Sequence, residues 1–320
     1  MSRKAGNLAK GRGPHRRRGC GLAAAAGLAL GVAALPGRRD DAPPNLAGVS
    51  IESLQRGQVS SLLEETGLRQ RHVLDIAFEE DGTVWLAASD GLYRYDGNGV
   101  QRLAEPEGLP SAFVRAVCWT RERQLWVGTD RGAGVYDGRR FDFTRAAGRL
   151  AGPSVRRIRE TADGALWFCC DRWPDASVHG GLTRLDAQGW TSYTRTNAAS
   201  LDHTMDLFRD SRGRVFALTQ SGLLEKRGEQ WFSPLIEAGL EGPGETFWSM
   251  AEVPGQGLMA NTFTGVFRFD EQRQRWVHLR QSFPTILTVA STREGEFLGI
   301  GLGAKDSGAF KRWNGEEFVV

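Results

Sequence analysis

One phrase returns six times along the chain, and that recurrence constrains the fold more than any other property of the sequence. Residues 81–97 read DGTVWLAASDGLYRYDG, and residues 124–138 read QLWVGTDRGAGVYDG. Weaker versions follow at 163–169 with 180–186, 212–228, 257–270 and 295–301 with 307–315. The anchor column is Trp85, Trp126, Trp167, Phe216, Met259 and Leu298, with steps of 41, 41, 49, 43 and 39 residues. A glycine column follows it: Gly91, Gly132, Gly181, Gly222, Gly265 and Gly308. Outer aromatics then close five of the units: Phe141, Trp190, Trp231, Trp276 and Phe318.

Each unit divides into four short strands. In the first these are predicted at 72–79, 83–88, 91–95 and 100–103, separated by Asp81-Gly82, Ser89-Asp90-Gly91 and Asp96-Gly97-Asn98-Gly99. Asp-Gly and Asn-Gly suit tight hairpins, because glycine takes positive φ without a Cβ clash. Three hairpin turns in about 41 residues make a four-stranded antiparallel blade, and blades arrayed around a channel leave only short, protected edges. The expected fold is therefore an all-β propeller of about six four-stranded blades, with anchor aromatics packed between neighbouring blades. Residues 59–76 match residues 100–117 at an offset of 41. Val59–Leu63 thus reads as an outer strand without its own complete blade, and Val49–Leu63 as half of a seventh is the other reading.

Charge is unevenly placed. The formal charge is +3, but seven bases and no acid lie in the first 18 residues, so residues 19–320 carry −4. That leaves no basic stripe of the kind nucleic acid requires. After Arg18 comes an apolar run, Gly19 to Leu35, broken by Pro36-Gly37. This is the layout of a secretory signal. Its 17 residues are short of the ~20 that a membrane helix needs, so an uncleaved anchor is the second reading. The chain is expected to divide into an export or anchor segment at 1–37, a linker at 38–49 and the propeller at 50–320. Membrane association is expected only through that segment. Cys118, Cys169 and Cys170 show no metal-ligand spacing; three buried free thiols are expected, and export would also allow Cys118 to pair with one of the adjacent two.

The recurring DG.LW.GT..GL.RYDG..F with GLPS..V resembles the two-component regulator propeller repeat, strongly in the first two units and weakly in the last three. That resemblance implies a periplasmic sensor propeller that binds a ligand. No kinase module or output domain follows the repeats within these 320 residues, which is a departure from the family pattern.

Repeated residues build blades, so a site is expected where units differ and on the loops that a rigid ring carries. The third unit is longest between anchor and glycine, 14 residues against 6, and its extra loop DRWPDASVHG carries Asp171, Arg172, Trp173, Asp175 and His179. An exposed Trp beside Arg can stack on a sugar or an aromatic ligand. The sixth unit is also longer there and carries Lys305 and Asp306. Loops leading into the inner strands supply Arg71, His72, Ser111, Ser154, His203, Glu245 and Thr246. The candidate binding residues are Arg71, His72, Arg172, Trp173, Asp175, His179, His203 and Glu245; none is assigned as catalytic or as a metal ligand, and no cofactor is expected. No nucleophile elbow, phosphate loop or zinc motif appears in the sequence. Three functions fit this pattern. The first is an exported, sensor-like module that binds a small molecule such as a saccharide, or a partner protein, on its loop face. The second is a lyase- or lactonase-like enzyme with a metal or a His/Glu pair at the channel mouth, His72, His203 and Glu245 being the first suspects. The third is an interaction scaffold.

Overall fold

The computed structural model describes residues 73–104, 107–171, 179–194, 201–237, 239, 245–262, 265–280, 285–291, 297–302, 310–313 and 318–319. These residues form six four-stranded antiparallel sheets, taken below as blades 1 to 6 in chain order. Blade 1 comprises β1 to β4, Val73–Phe78, Val84–Ala88, Gly91–Tyr95 and Val100–Leu103. Blade 2 comprises β5 to β8, Val114–Trp119, Leu125–Thr129, Gly132–Tyr136 and Phe141–Asp142. In blade 3, β9 to β12 are Ser154–Glu160, Leu166–Asp171, Gly181–Asp186 and Gly189–Tyr193. Blade 4 has β13 to β16, Thr204–Arg209, Val215–Thr219, Gly222–Arg227 and Gln230–Phe232. Blade 5 has β17 to β20, Ser249–Val253, Gly257–Asn261, Gly265–Asp270 and Arg275–Arg280. Blade 6 has β21 to β24, Thr285–Ser291, Phe297–Leu302, Phe310–Trp313 and Phe318–Val319. The expected strands of the first unit are reproduced to within one residue at each end. Val49–Leu63 and the segment 1–37 lie outside the described residues.

Strands follow one another in chain order across every sheet. The first strands are neighbours from sheet to sheet: β1 beside β5, β5 beside β9, β9 beside β13, β13 beside β17 and β17 beside β21. The inner edge of each blade is therefore its first strand. The core lies between the blades. Trp126, Ala116 and Ala133 of blade 2 share one apolar cluster with Ile158, Leu166 and Phe168 of blade 3. Equivalent clusters join blades 1 and 2, 3 and 4, and 4 and 5.

Each anchor meets an aromatic of the next blade. Trp85 packs edge-on against Tyr136 at 5.8 Å between ring centroids, Trp126 against Trp190 at 6.4 Å, Trp167 against Trp231 at 6.1 Å and Phe216 against Trp276 at 6.3 Å. Edge-to-face pairs add about 1 kcal/mol to the ~2–3 kcal/mol that burying each ring contributes. Arginines cover the same rings, Arg94 over Trp85, Arg145 over Trp126 and Arg184 over Trp167. The glycine column is required by backbone geometry. Gly91 has φ +155°, and a Cβ there would lie 2.9 Å from the Leu103 carbonyl oxygen.

The inner strands carry a second regularity. A β-bulge interrupts the pairing of β1, β5, β9, β13 and β21 with their neighbours, leaving Leu74, Arg115, Arg156, Met205 and Leu287 as the extra residues. All five sit eleven positions before their anchor. A bulge leaves backbone groups unpaired and turns a side chain away from the sheet's alternation. In blades 2 and 3 that side chain is an arginine.

Candidate functional site

Charged side chains gather on the inner strands of blades 1 to 4, where an apolar column would be the simplest solution. The upper part of the cluster lies at the loop end of blades 2 and 3. Arg115, the bulge residue of β5, donates from Nη1 to Asp171 Oδ1 at 3.0 Å and from Nη2 to Asp171 Oδ2 at 2.8 Å. It also donates to the Ser154 hydroxyl. Asp171 is the last residue of β10 and pairs across the sheet with Ser154. It is buried, so it belongs to the strand and not to the extra loop in which the sequence reading placed it. Arg156, the bulge residue of β9, reaches the same carboxylate from 3.8 Å.

Below these lie Arg157 and Arg159, two residues apart on β9 and so on one side of the strand. Arg159 donates to Asp206 Oδ2 of β13 at 2.9 Å and stands 3.5 Å from Asp75 Oδ2 of β1. Asp75 in turn accepts from the Val117 amide of β5 at 3.3 Å. A single arginine of blade 3 thus joins blades 1 and 4, and Asp75 ties blade 1 to blade 2. Arg157 lies 3.9 Å from Asp206 and donates to the carbonyls of Arg156 at 3.0 Å and Arg115 at 3.4 Å. Those two carbonyls belong to the bulge residues, so Arg157 fixes both bulges in place.

Burial sets the electrostatics. It pushes the Asp75 carboxyl up, against the pull of Arg159 and Arg157. Burial opposes the charge on Arg159, yet Asp206 and Asp75 hold that guanidinium above its ordinary value. For Arg156, burial with Arg115 and Arg157 alongside pushes the pKa down to about 10. Arg156 and Arg159 therefore both stay protonated near neutrality. The three described cysteines are free. Burial raises the thiols of Cys118 and Cys170 to about 12 and Cys169 well above its ordinary value, so none is a thiolate near neutral pH.

The residues expected from sequence are spread over a wider rim. Arg71, His72, Arg172, Trp173 and Asp175 lie outside the described residues, as do Lys305 and Asp306. His179 is exposed, its Nδ1 3.7 Å from Asp202 Oδ2. His203 sits in the turn before β13, its carbonyl accepting from the Gln220 amide at 3.1 Å. The Gln220 carbonyl accepts from the Thr246 hydroxyl at 3.4 Å, so the loops that carry His203 and Glu245 are joined. Ser111 caps its own loop, accepting from the Phe113 amide at 3.1 Å. Among the described residues no three His, Cys, Asp or Glu side chains converge as a metal site would need. Nor is any helix of the described residues long and apolar enough to cross a membrane.

Sequence reasoning missed Asp75, Arg115, Arg156, Arg157, Arg159 and Asp206. Their signal was present, since the inner strands read VLDIAF, VRAVCW, SVRRIRE and TMDLFR, with charges at positions that other units fill with uncharged residues such as Leu74, Met205, Ala116, Ala77, Cys118 and Phe208. The units thus differ on their inner strands as well as in their loops.

Residues 108–131 match the two component regulator propeller family, and this stretch holds both Arg115 and Trp126. No curated protein matches the chain in sequence. Among solved structures, the fold is similar to the extracellular domain of a one component system from B. thetaiotaomicron, with TM-score 0.59 and 17% identity over 76% of this chain and 32% of that one. It is also similar to the extracellular domain of a hybrid two component system from the same organism, with TM-score 0.57 and 15% identity over 78% of this chain and 36% of that one. Virginiamycin B lyase from Staphylococcus aureus is similar over 77% of this chain and 82% of its own, with TM-score 0.56 and 11% identity. The chain spans about a third of the length of these two extracellular domains. The chain is thus a β-propeller in which residues 108–131 carry the two-component regulator propeller repeat.

Proposed function

We propose that the chain is an exported, sensor-like binding module, with residues 1–37 as its export segment and residues 50–320 as the propeller. It takes a small molecule on the loop face between blades 2 and 4. The observation that carries this reading is the charged cluster on the inner strands of blades 1 to 4, whose upper members Arg115 and Arg156 pair with Asp171, the residue that directly precedes the long loop of blade 3 in the chain. A buried ion-pair cluster adds little net stability over an apolar packing of the same volume. What it does supply is a fixed set of hydrogen-bonding groups at one end of the ring. The extracellular domains of one and two component systems that this chain resembles in fold supply the analogy for a sensory role, and Trp173, two residues after Asp171 in sequence, is the aromatic residue proposed to meet the ligand.

The test is a thermal-shift screen of the purified full chain against saccharides and small metabolites. A ligand that raises the melting temperature, and does so less in Trp173→Ala, is the expected outcome. If no small molecule stabilises the chain, and a partner protein does, the loop face is a scaffold for protein and the small-molecule reading fails.

A further inference from the structure

The inner-strand charges fall into two groups with different balances. The lower group closes on itself, Arg157 and Arg159 facing Asp75 and Asp206, two cations to two anions. The upper group does not. Among the described residues Asp171 is the one acid that Arg115 and Arg156 both pair with, and Arg115 already engages both of its oxygens. Among the described residues the Arg156 guanidinium makes no hydrogen bond; its one ion pair is the 3.8 Å approach to Asp171, with Asp206 acting from farther off, and 30% of its side chain remains exposed. Its carbonyl is held by Arg157, so the strand that bears it is fixed while its guanidinium still has donors to give. Burial first, and then Arg115 and Arg157 alongside, push the pKa of this group down.

Taking the binding-module reading as its basis, we propose that Arg156 anchors a small carboxylate at the loop end of blades 2 and 3. One surplus charge calls for a monoanion. A phosphate dianion would exchange an excess of one positive charge for an excess of one negative charge beside buried Asp171. A carboxylate balances the site, and its two oxygens match the guanidinium fork. Arg115 with Asp171 is the rigid support, and the Ser154 hydroxyl ties that support to β9. Because Arg157 fixes both bulges, the fork is positioned before the ligand arrives, which reduces the ordering cost of binding.

Calorimetric titration of the full chain with matched ligand pairs tests this directly: glucuronate against glucose, galacturonate against galactose, with acetate and inorganic phosphate alongside. The acid of a pair should bind at least about tenfold more tightly than its neutral partner, a difference of about 1.4 kcal/mol, and this preference should shrink as salt rises. Arg156→Gln should abolish the preference, and Arg156→Lys should keep part of it. The ligand-free melting temperature of Arg156→Gln should equal or exceed that of the parent, since a desolvated cation among cations is being removed; a merely structural arginine would lower it on removal. Equal binding of acid and neutral sugar, with Arg156→Gln unaltered, would overturn the carboxylate assignment and leave the binding-module reading standing. Preference for phosphate overturns it likewise. If no carboxylate binds and no neutral ligand stabilises the chain, both readings fall together.

Discussion

The gaps between blades and the inner edge of the ring are built by opposite means. Between blades, one solution repeats: an anchor aromatic at a fixed position meets an aromatic of the next blade four times over, on the outer strand in three cases and on the third strand, at Tyr136, in one. At the inner edge the backbone repeats, with a bulge eleven residues before the anchor in five blades, but the side chains do not. Leu74, Arg115, Arg156, Met205 and Leu287 occupy equivalent places. The first region secures the fold and tolerates little. The second uses a fixed backbone to present different chemistry in each blade. Function is therefore to be sought where the backbone is periodic and the side chains are not.

The largest effect expected from breaking this contrast is at the blade interface. Trp126 is fully buried between blades 2 and 3, and Trp126→Ala should lower stability by about 4 kcal/mol in urea unfolding. A loss below about 1 kcal/mol would mean that the interface collapses around the gap and that the anchor column is not what holds the blades together. At the inner edge Arg115→Gln should cost somewhat less, about 3 kcal/mol, because Asp171 would stay buried with its bidentate partner gone. If Arg115→Gln and Arg156→Gln had the same effect on ligand-free stability, the distinction between a supporting and a surplus arginine would be lost.

The anchors also differ among themselves. Trp85 Nε1 donates to Glu79 Oε1 at 2.6 Å and Trp167 Nε1 to the Thr161 hydroxyl at 3.3 Å, each six residues upstream. In blade 2 the equivalent residue, Thr120, instead accepts from the Gln124 amide, and the buried Nε1 of Trp126 has no partner. Replacing Trp85 by Phe should therefore cost about 1 kcal/mol more than the same change at Trp126. Equal costs would show that the indole donors add nothing beyond ring burial. In blade 4 the anchor is Phe216, and the upstream residue, Asp210, pairs with Arg214, which covers the ring. The change from Trp to Phe is thus matched by a change in what its neighbour binds.

Most of the architecture was legible because blade-forming signals are local. Trp85 and Trp126 in β2 and β6, and the glycines that open β3 and β7, fall where turn chemistry and spacing put them. The inner-edge cluster was not legible in the same way. Arg159 meets Asp75 across 84 positions of sequence and Asp206 across 47, so the pairing follows from ring geometry and leaves no linear motif. His179, His203 and Glu245 were read from loop positions alone. The structure joins the loops of the last two through Gln220 and Thr246, and sets His179 beside Asp202.

The smallest effect lies in how the two regions respond to acid. Asp96, Asp137 and Asp270 close the third turn of blades 1, 2 and 5. Each accepts from two backbone amides, Asp96 from Asn98 at 3.0 Å and Gly99 at 3.1 Å, which holds its carboxyl below the ordinary 3.8. Asp137 and Asp270 are held down in the same way. Groups depressed on folding contribute stability that is fully present above 3.8 and is lost as pH falls below it. Asp75 has the opposite sign. Burial raises it, so folding favours its protonated form, and its contribution is present below 3.8 and lost as pH rises through the folded value. As acid is added, Asp75 should partly offset what the turns lose. Melting temperatures followed from about pH 5 to about pH 3 should accordingly fall more steeply in Asp75→Asn than in the parent. They should fall less steeply when the three turn aspartates are replaced by Asn, which keeps the turn but does not titrate. A curve for Asp75→Asn that runs parallel to the parent would mean that Asp75 gains no proton on folding, and the inner edge would then respond to acid no differently from the exposed turns.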